Sequence, residues 1–261
     1  MSECVPWRVV IAVIAATGLF LLLPGELRHK AHLVLQGVCA QRPSHSFQFS
    51  GQPLPVDARM TGIYLGGATA LVWYLPVGRA RHPGRFTRGA WVLLALCISV
   101  MALDGMNSLA MDLAVPTPYA STSLTRVGTG LLSGVAIGAL LSHLATISLT
   151  HRPPGGWPSA HAFVLAPPLT IGLFVCGLAA SGLPILALPY TFLTVASALA
   201  VLWAMTSVLV ALLLGRAWGF ASAQQRDETL AIAFVSACVL LVGLAVWRVV
   251  LEQLLGSMRL S

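Results

Sequence analysis

Apolar residues arrive along this chain in long blocks, and polar residues gather at the seams between them. A helix that crosses a bilayer needs about 20 mainly apolar residues. Seven blocks approach that length, at roughly 7–24, 60–78, 89–106, 125–149, 162–182, 187–214 and 229–251. The pattern predicts an all-α integral membrane protein, a polytopic bundle of about seven transmembrane helices, with six or eight as alternatives. Gly182, Pro184 and Pro189 leave a kinked or re-entrant stretch open between the fifth and sixth blocks. Residues 1–149 form an N-terminal four-span unit with a loop at 25–59, and residues 150–261 a C-terminal unit of about three spans.

Composition supports this class. The chain is 57% hydrophobic and 9% charged, against about 25% charged in soluble domains. The first residues, MSECVPWRVV, put a charged region before an apolar run, as a signal peptide does. Glu3 is acidic, however, and no A-x-A-like site follows Leu23, so the block reads as a retained first span. Five scattered cysteines without a CxxC argue against a disulfide framework.

The pI near 9.7 reflects arginines in short loops, which favours membrane topology over nucleic-acid binding. The cluster RARHPGRFTR, residues 79–88, marks a cytoplasmic face. The N-terminus is then inside, and loop 25–59 and the C-terminus outside. Anionic lipid headgroups are the expected partner of that cluster. The loop itself is too rich in Pro, Ser, Gly and Gln to bury a core of its own, so it packs on the helices or stays mobile.

This topology gathers Cys39, His45, Asp57, Arg59, Asp104, Asn107 and Arg126 on one outer rim. Paired charges are the tolerable way to place ions beside hydrocarbon. The rim reads first as a clamp joining the second, third and fourth spans, with Arg59 paired to Asp57 or Asp104. A ligand, metal or redox site is the alternative. Two stretches also resemble each other: R-M-T-G-I-Y-L-G from Arg59, and R-V-G-T-G-L-L-S-G from Arg126. Gly62 and Gly66 in one, and Gly130, Gly134 and Gly138 in the other, place small residues on one helix face, where backbones approach closely. A parallel repeat of helical hairpins is a weaker reading of the same pattern.

The stretches CAQRPSHSF (Cys39 to Phe47) and LPVDARMTGIYLG (Leu54 to Gly66) resemble the bacterial membrane family known as domain of unknown function 2085. Asp104-Gly105, Arg126, Thr129 and Gly130 continue the likeness, which spans about residues 30–140. The resemblance implies a helical protein of the bacterial cytoplasmic membrane, and it supplies no reaction. It also implies a cluster of cysteines and a histidine, from which this chain departs. Ala40 stands at the histidine position, and Asp57 and Met60 at two cysteine positions. Cys39, His45 and Asp57 remain as S, N and O donors for a metal such as zinc, and Met60 suits a softer cation. Loss of the site with retention of the fold is the preferred reading, so no cofactor is expected.

Two other motifs carry less. HRPPGGWPSAHAF, from His151, resembles the R-P and P-S-G-H signatures of phosphatidic-acid phosphatases. No histidine follows His161 to attack phosphorus, so it reads as a turn. His143 within a span is a lone haem-ligand candidate, more simply a hydrogen-bonded helix residue. Neither a P-loop nor H-E-x-x-H occurs. The expected function is a non-enzymatic accessory or structural subunit of a membrane complex. A metal- or redox-active protein and a small-solute transporter or channel are the alternatives.

Overall fold

A computed structural model describes residues 6–49, 51–80, 86–149, 165–216, 220 and 222–258. Within them the chain is almost wholly helical. The helices are α1 (Trp7–Leu22), α2 (Leu27–Leu35), α3 (Ala58–Ala80), α4 (Arg88–Asp112), α5 (Ser123–Leu149), α6 (Ala166–Ala180), α7 (Ala187–Leu213) and α8 (Ala223–Met258). The only strands among the described residues are β1 (Gln48–Phe49) and β2 (Gln52–Pro53), a two-stranded antiparallel hairpin.

Among the described residues, four helices are long and apolar enough to cross a membrane: α4, α5, α7 with the 3₁₀ turn before it, and α8. The count rises to five if α1 and α2, which meet at 117°, make one broken span. The expected seven crossings are therefore not reached by length and composition. Block 60–78 lies in α3, whose exposed positions are few and whose glycines, threonines and tyrosines dilute its hydropathy. Block 162–182 begins outside the described residues and contributes a helix of 15 residues.

The centre of the fold is the α3–α5 pair. Gly62, Gly66, Gly130, Gly134 and Gly138 line the contact. A Cβ on Gly62 would meet the Val127 carbonyl at 2.3 Å, and one on Gly130 the Arg59 carbonyl at 2.2 Å. A Cβ on Gly66, Gly134 or Gly138 would come within 2.7 Å of the opposing backbone. No side chain fits between these helices, which is what small residues at every fourth position permit. Around this pair, α6 and α7 pack on both members, α4 packs on α5, and α1 and α2 lean on α8.

Helix ends that lack internal partners find them on distant elements. No side chain from Pro6 caps α1. Asp227 of α8 does so instead, accepting from the Arg8 and Val9 N–H groups at 3.1 and 3.3 Å. Arg8 also pairs with Glu228 at 2.6 Å. At the other end of α1, the Lys30 ammonium donates to the Leu21 carbonyl at 2.8 Å. Between α6 and α7 the chain reverses through Gly182 at φ +64°, a conformation natural to glycine. Interhelical hydrogen bonds join α7 to α8: Thr206 donates to the Ala233 carbonyl at 2.8 Å, and Trp203 to that of Leu230 at 3.0 Å.

The segment from Gln36 to Asp57 lies on the bundle rather than standing away from it. Cys39, Phe47, Phe49, Leu54 and Val56 are buried, and Phe49 stacks on Tyr190 of α7 with ring centroids 5.8 Å apart. Arg248 of α8 donates to the carbonyls of Gln36, Cys39 and Ala40, so an arginine inside the last apolar block secures the exit of α2.

Candidate functional site

Each residue of the polar cluster at the start of α3 makes at least one hydrogen bond, while Arg59 Nε and Asn107 Oδ1 are buried without a partner. Asp57 precedes the helix, and its Oδ1 accepts from the Met60 N–H at 2.9 Å. That is the geometry of an N-cap, and it uses the carboxylate for the helix. Arg59 turns instead to α4. Its Nη2 donates to Asp104 Oδ2 at 2.5 Å, to the Asp104 carbonyl at 3.2 Å and to Ser108 at 3.1 Å. Of the two acids open to Arg59 in the sequence, the structure selects Asp104.

Asp104 is 1% exposed, and its oxygens are filled. Oδ2 also accepts from Thr129 at 3.2 Å. Oδ1 accepts from the Tyr119 hydroxyl at 2.8 Å and from Ser121 at 3.4 Å. The α4–α5 connection thus folds back over the carboxylate, and Asn107 steadies it by donating to the Tyr119 carbonyl at 2.9 Å. The bond to Asp104 raises the Tyr119 pKa above that of an ordinary phenol, so Tyr119 remains a donor. Arg126 enters from α5, with Nε donating to Ser108 at 3.1 Å and Ser121 at 3.2 Å.

A second set of contacts docks the preceding loop beside this network. Arg42 forms an ion pair with Asp112 at the end of α4, and His45 Nε2 lies 3.7 Å from the same carboxylate. Burial, then the positive charge of Arg126, holds the His45 pKa below its usual value. Gln41, at φ +54°, donates to the His32 and Pro55 carbonyls at 2.8 Å each. These bonds offset the left-handed backbone and tie α2 to the start of α3.

Cys39, His45 and Asp57 are not gathered as ligands. Among the described residues, no group of three His, Cys, Asp or Glu side chains is placed to hold a metal ion. The Cys39 sulfur accepts from the Gln41 and Asp57 N–H groups at 3.4 and 3.3 Å. Burial, reinforced by the Asp57 charge, pushes its thiol up to about 11. His45 faces Asp112, and Asp57 caps α3.

The structure brings Arg59, Asp104, Asn107 and Arg126 together. It adds Ser108, Tyr119, Ser121 and Thr129, which the sequence reading did not single out as site residues. Ser108 follows Asp104 by four positions and so shares its helix face, a signal available in advance. Tyr119 and Ser121 sit in a connection without periodicity, and nothing local marks them. At the opposite end of the bundle, His143 packs on Phe86 with ring centroids 4.2 Å apart. The His151–Phe163 motif and residues 81–85 of the arginine cluster lie outside the described residues.

Long apolar helices with a charged network sealed at one end define the class: an all-α membrane protein. The family described as "Predicted membrane protein (DUF2085)" matches residues 39–140. An uncharacterized protein from Methanothermobacter thermautotrophicus is 32% identical over 111 residues, which is 41% of this chain and 89% of that relative. The chain belongs to the DUF2085 family. No solved structure matches it.

Proposed function

We propose that this chain is a non-enzymatic polytopic membrane protein serving as an accessory or structural subunit of a larger membrane complex. The observation that carries this reading is the state of Asp104. The carboxylate most deeply buried in the bundle is saturated by donors from α3, α5 and the α4–α5 connection. A proton carrier or general base needs a lone pair open to substrate; Asp104 is a clamp. Wide apolar surfaces on α4 (Trp91, Leu96, Leu103) and α8 (Val239, Trp247) remain exposed, suited to lipid and to other subunits.

Seven crossings are also part of this proposal. The ends of successive helices alternate between two groups. Asp104, Arg126, Tyr190 and Arg248 lie toward one end, and Arg8, Phe86, His143 and Asp227 toward the other. With the arginine cluster at 79–88 as the cytoplasmic mark, the clamp faces outward and the N-terminus inward. Gentle detergent extraction from native membranes, followed by native mass measurement, tests the subunit role. The expected particle is larger than one chain and contains a second polypeptide. A strictly monomeric particle without partners overturns the proposal.

A further inference from the structure

The clamp surrounds Asp104 with donors, yet it leaves Arg126 without an ion-pair partner. Ser108 accepts from Arg59 and Arg126 and donates its one hydrogen to Ser121 at 2.9 Å. Ser121 accepts from Ser108 and Arg126 and donates to Asp104. A hydroxyl has one hydrogen and two lone pairs, so both serines are fully used. Asp104 accepts from Arg59, Tyr119 and Ser121, and the Thr129 hydroxyl, whose one hydrogen is shared with the Thr125 and Arg126 carbonyls, lies 3.2 Å from Oδ2. Asn107 Oδ1 is also buried without a partner, and it makes no bond to Arg126.

Arg126 is only 6% exposed. Its Nε is shared by the two serines, and Nη1 and Nη2 have no acceptor among the described residues. No carboxylate oxygen there comes within 4.0 Å of its nitrogens. Asp112 is engaged by Arg42 and His45, and Asp57 by the α3 cap. A guanidinium cannot shed its proton, and holding it largely enclosed without a counter-ion is unfavourable, although its two amino groups keep a path to the surface. Its position adds to the cost: Arg126 stands in the first turn of α5, where the helix dipole is already positive. Arg126 and Arg42 both lie close enough to His45 to lower its pKa, and Asp112 and Asp57 close enough to raise it.

We propose that the two free amino groups of Arg126 bind a phosphate-type oxyanion at the rim, between the start of α5 and the Arg42–His45 turn. A planar guanidinium fork matches two oxygens of such a group. Two sources share this chemistry: free inorganic phosphate, and the phosphodiester of a lipid headgroup at the membrane surface. The site is independent of the accessory role, since it rests on Arg126 having no ion-pair partner among the described residues.

The test uses the full chain in zwitterionic detergent at constant ionic strength. Its unfolding midpoint is followed while inorganic phosphate is titrated, and separately while phosphatidylglycerol replaces part of the detergent. A rise with phosphate identifies the free anion; a rise with phosphatidylglycerol alone identifies the headgroup. In either case Arg126→Gln weakens the apparent affinity by about tenfold or more, as expected for a desolvated charge pair. Should Arg126→Gln fail to fold, Arg126→Lys keeps the charge but loses the fork, and about tenfold weaker binding is again expected. No rise with either ligand in the unaltered chain, or equal affinity in a folded Arg126 variant, overturns the proposal.

Discussion

Charge near hydrocarbon is decided one residue at a time. Asp104 is tolerated at 1% exposure because Arg59 and three hydroxyls neutralise or hydrogen-bond it. Removing the acid leaves Arg59, itself largely enclosed, without its ion-pair partner. Asp104→Ala should therefore cost about 3–5 kcal/mol, the usual penalty for breaking a buried pair from one side. Denaturant titration in detergent micelles would measure it, and a loss below about 1 kcal/mol would mean that the network contributes little stability. The acid and both arginines were legible in the sequence as a rim cluster. Which acid Arg59 takes was not, because the choice depends on Asp57 being used by its own helix.

At the scale of elements, α3 and α5 meet through glycine because their backbones touch. Two neighbouring glycines of α5 separate this requirement from mere composition. A Cβ at Gly130 lands 2.2 Å from the Arg59 carbonyl, whereas one at Gly128 meets nothing within 4 Å. Gly130→Ala should push the helices apart and destabilise the protein by about 1–3 kcal/mol. Gly128→Ala should be neutral or stabilising by up to about 1 kcal/mol, through helix propensity alone. Paired unfolding curves decide the matter: equal effects at the two positions would show that close approach is not what Gly130 supplies. The T-G-x-x-x-G repeat made the glycine faces visible beforehand. The β1–β2 hairpin was not visible, since two-residue strands carry no periodicity, and Phe49 is placed there by Tyr190 rather than by its neighbours in sequence.

For the whole molecule, two polar clamps lie at opposite ends of the bundle. One is centred on Asp104, the other on Asp227 and Glu228 with Arg8 and Arg216. If the bundle crosses the membrane as proposed, these ends face different compartments. Single cysteines at exposed Gln52 and Gln224, introduced into a background without other cysteines, report this directly. An impermeant maleimide should label Gln52→Cys in intact cells and Gln224→Cys only after permeabilisation. Labelling of both from the same side would overturn the alternating arrangement.

By itself the sequence determined the class of protein and most helix positions, because each follows from local properties: apolar block length and glycine spacing. Tertiary structure decided the pairings. It assigned Asp104 to Arg59, Asp57 to a helix cap and the buried Cys39 sulfur to the Gln41 and Asp57 N–H groups. It also turned Arg248 toward α2 and Asp227 toward α1, across more than 200 residues of chain. Hydrogen-bond partners at such separations depend on how helices stack, and one-dimensional spacing carries no record of that.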